Sequence, residues 1–178
     1  FWLKFKIMTD VTIFDESVAL VKKNAPQNGM PLLCWDLYSV FFRALNAAQR
    51  DLSLLNQLSK DFKWSMPFDL DEELQTNDAI LVTDANLEIV FASYGIAGMS
   101  GYEPSEVVGN SPKMFQGRDT SPKKRAEINQ AIATQKPFEA TLINYKKNGE
   151  IYECHIRSFP IFNKKGELTH FIALEKAA

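Results

Sequence analysis

Two cysteines, Cys34 and Cys154, and two histidines, His155 and His170, are the soft ligands and nucleophiles this chain offers. The cysteines stand far apart and in no C-x-x-C arrangement, which argues against both a zinc site and a disulfide framework. No nucleophile elbow, phosphate-binding glycine loop or kinase motif occurs, and carboxylates such as Asp84 and Asp119 sit in ordinary turn contexts. Lys123, Lys124 and Arg125 read as a solvated first helical turn, although a helix N-terminus can attract an anion. The sequence therefore predicts no enzyme.

Composition narrows the partners. The chain has 178 residues, 46% of them hydrophobic, enough for one ordinary domain with an extension. Twenty basic and 22 acidic residues leave a formal charge of -2, so neither nucleic acid nor an anionic membrane surface is expected as a partner. Apolar runs are broken well before the roughly 20 residues of a membrane helix, and the sparse cysteine usage fits the cytoplasm. Seven residues from Phe1 to Ile7 precede Met8, too short and wrongly ordered for a signal peptide. Whether the native chain starts at Met8 stays open.

Three regions separate by pattern. Residues 1–65 read as a helical extension, with a short helix from Asp10 to Lys23, a breaker cluster from Asn24 to Gly29, and a longer helix from Leu37 to about Phe62. In heptad terms Tyr38, Leu45, Leu52 and Ser59 fall at a, while Phe41, Ala48, Leu55 and Phe62 fall at d. That seam predicts a homodimer through Tyr38, Phe41, Leu45, Leu52 and Leu55; packing against the chain's own domain is the alternative. Residues 66–78, with Pro67 and the acidic cluster Asp69, Asp71, Glu72 and Glu73, read as a linker.

From 79 to 178 the pattern turns to short strands. Residues 79–83 and 88–92 flank the turn residues Asp84, Ala85 and Asn86, and three further strands are expected at 139–146, 150–159 and 168–174. Asn148-Gly149 is a tight-turn signal between the first two of these. Pro104 suits the first turn of one helix; Ser121 and Pro122 cap and open another running to about Gln135. The expected fold class is α+β: a five-stranded antiparallel sheet with helices on one face, preceded by the helical extension.

These segments resemble the PAS superfamily, and within it the light-oxygen-voltage, or LOV, branch that binds flavin. The resemblance rests on Val82-Thr83-Asp84 with Ile89-Val90-Phe91-Ala92-Ser93 and Ser100-Gly101-Tyr102. Gly109-Asn110-Ser111-Pro112-Lys113-Met114-Phe115-Gln116-Gly117 is similar to the LOV motif G-x-N-C-R-F-L-Q-G, and Asn144-Tyr145-Lys146-Lys147-Asn148-Gly149 to N-Y-x-K-D-G. Of the flavin contacts this resemblance implies, Gln116 and Asn144 match, with Ser111 and Cys154 as further pocket residues. Gln116 and Asn144 would equally serve to satisfy local backbone groups. At the family's thiol position stands Pro112, which excludes adduct chemistry there. The last-strand glutamine becomes Glu175, and the phosphate-holding arginines become Pro122 and Ala126. Lys123, Lys124 and Arg125 are expected to point elsewhere on the helix.

The implied function is a sensory or protein-interaction module whose output lies on an unidentified signalling partner or on a region outside these residues, with no cofactor expected. The alternative is a sensor that binds flavin non-covalently. Haem is not expected, because His155 and His170 both fall on strands.

Overall fold

A computed structural model describes residues 32–66 and 68–177, with side chains from Asn46 onward. The expected helix at Asp10–Lys23, its breaker and the residues before Met8 lie outside the described residues. The chain divides into two compact units, Phe1–Arg43 and Ala44–Ala178.

The long helix α1 spans Leu32–Asp61, beginning earlier than the heptad pattern suggested because nothing after Pro31 breaks a helix. Lys60 in its last turn suits the negative helix end. The chain then reverses at Lys63, which adopts a φ of 52°, and Trp64–Ser65 forms a two-residue strand, β1. The segment expected to be a linker holds a helix, α2 (Leu70–Thr76). Its acidic cluster has a structural reason: Asp69 caps the helix by accepting the Asp71 N–H at 2.8 Å, and Asp71, Glu72 and Glu73 fill the positive first turn.

The strands β2 (Ala79–Asp84), β3 (Ile89–Ala92), β4 (Phe138–Tyr145), β5 (Ile151–Asn163) and β6 (Leu168–Ala177) pair antiparallel, with β6 between β2 and β5 and β4 along the outer edge of β5. That is the expected five-stranded sheet. A sixth strand, β1, fills the far end of the same β5 edge by pairing Trp64 with Asn163 and Ser65 with Phe162. A two-residue strand gives no period-2 signal, so only the fold reveals it.

Short helices α3 (Gly95–Ser100) and α4 (Pro104–Val107), a 3-10 turn (Pro112–Phe115) and helix α5 (Pro122–Ala133) connect β3 to β4. Glu103 and Glu106 form a capping box around Pro104, and Ser121 accepts the Lys124 N–H at the start of α5. Together with the sheet, the first of these helices enclose a core of Ala79, Leu81, Ile89, Ile96, Met99 and Val107. A second core lies on the other sheet face, where Leu55 of α1 and Leu70 of α2 pack with Trp64, Ile80, Val82, Phe91, Ile161 and Ile172. Both faces of β2 are therefore covered, which is why its residues 79–83 are all buried instead of alternating.

The heptad seam is consumed accordingly. Leu55 is 0% exposed and Leu52 packs against the same cluster, so within the described residues these two positions serve the chain's own sheet. Phe62 stays 44% exposed and stacks edge-on to His170 at 4.4 Å. The side chains of Tyr38, Phe41 and Leu45 lie outside the described residues.

Candidate functional site

Gly117 and Tyr145 fix the site's frame. A Cβ at position 117 would overlap the Tyr145 ring, so only glycine lets the ring lie against the chain there. The Tyr145 hydroxyl donates to Asp119 Oδ2 at 2.8 Å and accepts the Asp119 N–H at 2.9 Å. Thr120 adds a second tie, donating to the Ile143 carbonyl at 2.6 Å and accepting the Gly117 N–H at 3.0 Å. The loop after the 3-10 turn is thus pinned to β4, and the neighbours Gln116 and Asn144 come to the same cavity.

That cavity measures about 440 Å³ and lies between the inner sheet face, the 3-10 turn and α5. It falls within the roughly 300–1,000 Å³ of small-molecule sites. Its strand walls follow one parity: Leu81 and Thr83 on β2, Leu142 and Asn144 on β4, Ile156 and Ser158 on β5, and Phe171, Ala173 and Glu175 on β6. Opposite stand Pro112, Phe115 and Gln116 of the turn region, and Pro122, Arg125, Ala126, Ile128, Asn129 and Ile132 of α5. The spacing of Pro122, Arg125, Ala126 and Asn129 places them on one helix face.

Asn144 is 4% exposed, and its Oδ1 has no hydrogen-bond partner among the described residues; Thr83 Oγ1 is orphaned in the same way. Leaving a buried polar group unsatisfied costs about 1–3 kcal/mol, and both residues line the cavity. Gln116 is half-buried and its backbone N–H closes the 3-10 turn onto the Lys113 carbonyl. Glu175 is 4% exposed, and burial pushes its carboxyl up to about 7, against the pull of the Cys154 thiol, which donates to Oε2 at 3.5 Å.

Two sequence expectations change. Cys154 does not line the cavity; it is 0% exposed in the core behind Glu175, where burial, followed by the Glu175 charge, drives its thiol far above the ordinary range. It behaves as a small apolar residue. Arg125, expected to point away, lines the cavity, as does Lys113. Neither side chain makes a hydrogen bond or ion pair with another described residue. The i, i+3, i+4 face of α5 starting at Pro122 is the signal that would have found Arg125; treating only Pro122 and Ala126 as cavity-facing hid it. Ser111 lines the mouth but is exposed, its hydroxyl accepting the Lys113 N–H at 3.5 Å as the turn's cap. The resemblance pointed to Gln116 and Asn144; Thr83 went unnoticed because a threonine on a strand carries no distinguishing signal.

A protein-family model described as PAS domain matches residues 77–176, the span that forms the sheet and its cavity. The chain belongs to the PAS domain family. A blue-light-activated histidine kinase of Brucella ovis is 34% identical over 119 residues, which cover 67% of this chain and 24% of that protein. Protein TWIN LOV 1 of Arabidopsis thaliana is 36% identical over 108 residues, 58% of this chain and 27% of its own length. The PAS chain thus spans about a quarter of the curated relatives it matches. The dark structure of the blue-light photoreceptor Aureochrome1 LOV superposes with a TM-score of 0.58 at 24% identity, over 64% of this chain and 86% of that one. The LOV domain of a blue-light activated histidine kinase from Erythrobacter litoralis gives 0.53 at 22% identity, over 64% and 97%. Both likenesses establish the fold. Among the described residues no group of three or more His, Cys, Asp and Glu side chains could hold a metal, and no helix is long and apolar enough to cross a membrane.

Proposed function

We propose that this PAS chain is a sensory module that takes a flavin-class ligand non-covalently in the cavity and passes its state to a partner. The observation that carries this reading is the buried, unpaired Asn144 Oδ1 in the wall of a 440 Å³ cavity. An unliganded interaction module would gain nothing from leaving that oxygen without a partner. Gln116, Asn144 and Thr83 would hold the polar edge of a flat heteroaromatic ring, and Leu81, Phe115, Leu142 and Phe171 its faces. Arg125 and Lys113 would meet a phosphate at the mouth, taking over from the arginines missing at Pro122 and Ala126. A bound flavin supplies blue-light absorption and electron-accepting capacity.

Pro112 offers no thiol, so the chain lacks the adduct-forming cysteine at that place and sensing there involves no covalent bond to the protein. Output is supplied by a signalling partner or by a region beyond these residues; the kinase names of the relatives describe those longer proteins. We read the chain as non-enzymatic and cytoplasmic, with self-association through Tyr38, Phe41 and Leu45, because Leu52 and Leu55 already serve the chain's own sheet.

The test is the visible spectrum of purified protein before and after incubation with excess flavin mononucleotide. The expected result is a structured flavin band approaching one ligand per chain, lost on Asn144→Leu, which fills the polar position with an apolar side chain. Failure of the wild type to bind any flavin would return the chain to a ligand-free interaction module.

A further inference from the structure

The cavity contains a titratable group that a purely apolar or amide-lined site would lack. Glu175 sits on β6 with its backbone locked on two sides: its carbonyl accepts the Asp78 N–H at 3.0 Å, and Asp78 Oδ2 in turn accepts the Ala177 N–H at 2.9 Å. Its side chain is 4% exposed and lines the cavity. Among the described residues no lysine or arginine pairs with it; its partner is the weak thiol donor of Cys154. A carboxylate in such a place has lost its water without gaining a cation, which favours the neutral acid.

We propose that Glu175 is a proton-switched binding residue: as a neutral carboxylic acid it donates a hydrogen bond to an acceptor on the ligand in the cavity, and as a carboxylate it repels that acceptor. The proposal rests on the reading of the cavity as a ligand site and names its regulation. On losing its proton to solvent the carboxyl changes from donor to acceptor only, so the same ligand edge meets attraction at one pH and repulsion at another. The titratable and charged groups around it leave the switch to Glu175 alone. From β5 come Cys154 and Tyr152, both held neutral because burial drives them far above their ordinary values. Asp78, just before β2, is exposed and tied to the backbone of Ala177. Lys113 and Arg125 border the cavity from the helical side. Burial places the Glu175 transition near 7, inside the range where a small change of pH or of ligand charge moves it.

Two measurements test this on the intact chain. Infrared difference spectra of wild type against Glu175→Gln, without ligand, should show a protonated-acid carbonyl band that disappears as pH rises through about 7. Riboflavin, which lacks a titrating phosphate, should bind wild type at least about tenfold more weakly at about pH 8.5 than at about pH 6, while Glu175→Gln binds equally at both. A carboxylate band already present at about pH 6, or the same pH dependence in both proteins, overturns the proposal. In wild type alone the same band is read as the difference between spectra at about pH 6 and about pH 8.5, so a variant that misfolds leaves the test intact. A titrating acid band in a protein that binds no flavin keeps the neutral acid in the cavity and sinks the flavin reading instead.

Discussion

The carboxylate of Asp51, on α1, accepts the backbone N–H of Tyr94 at 2.7 Å and is itself 8% exposed. Tyr94 is the N-cap residue of α3 and has no side-chain cap of its own, so the helical extension satisfies the residue that opens α3. Burial raises the Asp51 carboxyl above its ordinary value, with the Tyr94 hydrogen bond opposing. Asp51→Ala should cost about 1.5–3 kcal/mol, as for a hydrogen bond to a charged group. Hydrogen exchange at the Tyr94 amide should accelerate in step, and unchanged protection there would show that the bond is not formed in solution.

Leu54 and Leu55 are adjacent on α1 yet opposite in role, one 46% and the other 0% exposed. Leu55→Ala should destabilise by about 2–5 kcal/mol because a cavity opens over the sheet, while Leu54→Ala should stay within about 0.5 kcal/mol. Replacing Leu52 and Leu55 together with lysine should expose the outer sheet face to hydrogen exchange instead of yielding a folded monomer. Denaturant unfolding of the single variants separates this from a seam used only between subunits.

Trp64 Nε1 donates to His170 Nδ1 at 3.1 Å, and both rings are buried beneath the extension. Burial lowers the His170 value below 6.5, with Asp84 pulling weakly the other way. The unfolded chain therefore takes up a proton at a higher pH than the folded one, so stability is complete above about 6.5 and declines as pH falls below it. Protonation also turns Nδ1 into a donor facing the indole N–H. Thermal melts from neutral to acid should show this loss in wild type and a smaller one in His170→Gln; equal slopes would remove His170 from the acid response.

Arg125 borders the cavity beside Lys113 without an ion-pair partner among the described residues. Arg125→Ala should weaken flavin mononucleotide by about tenfold or more and leave riboflavin nearly unchanged, because only the former carries a phosphate. Equal loss for both ligands would place Arg125 against the ring instead.

Gly117→Ala should displace Tyr145, since the new methyl would overlap its ring. A cost of about 1–3 kcal/mol is expected for such overpacking, together with reduced flavin uptake as Gln116 and Asn144 lose their common frame. Normal uptake in a destabilised variant would separate the frame from the site.

The sequence by itself determined the succession of strands and helices, most strand limits to within a few residues, and the helix starts at Pro104 and Pro122. These depend on local rules: proline and capping residues act within a turn of where they stand, and period-2 patterns mark strands directly. Tertiary structure decided what local rules cannot reach. The a/d seam of α1 is the same whether its partner is a second chain or its own sheet, and only the packing of Leu55 on Ile80, Val82 and Ile172 distinguishes the two. Arg125 was legible as a helix residue, but whether it faces the cavity depends on how α5 is rotated over the sheet. Glu175 carries the ordinary signature of an acid near a chain end; its burial, and with it the chemistry of its proton, exists only because β5, β2 and the helices close around it.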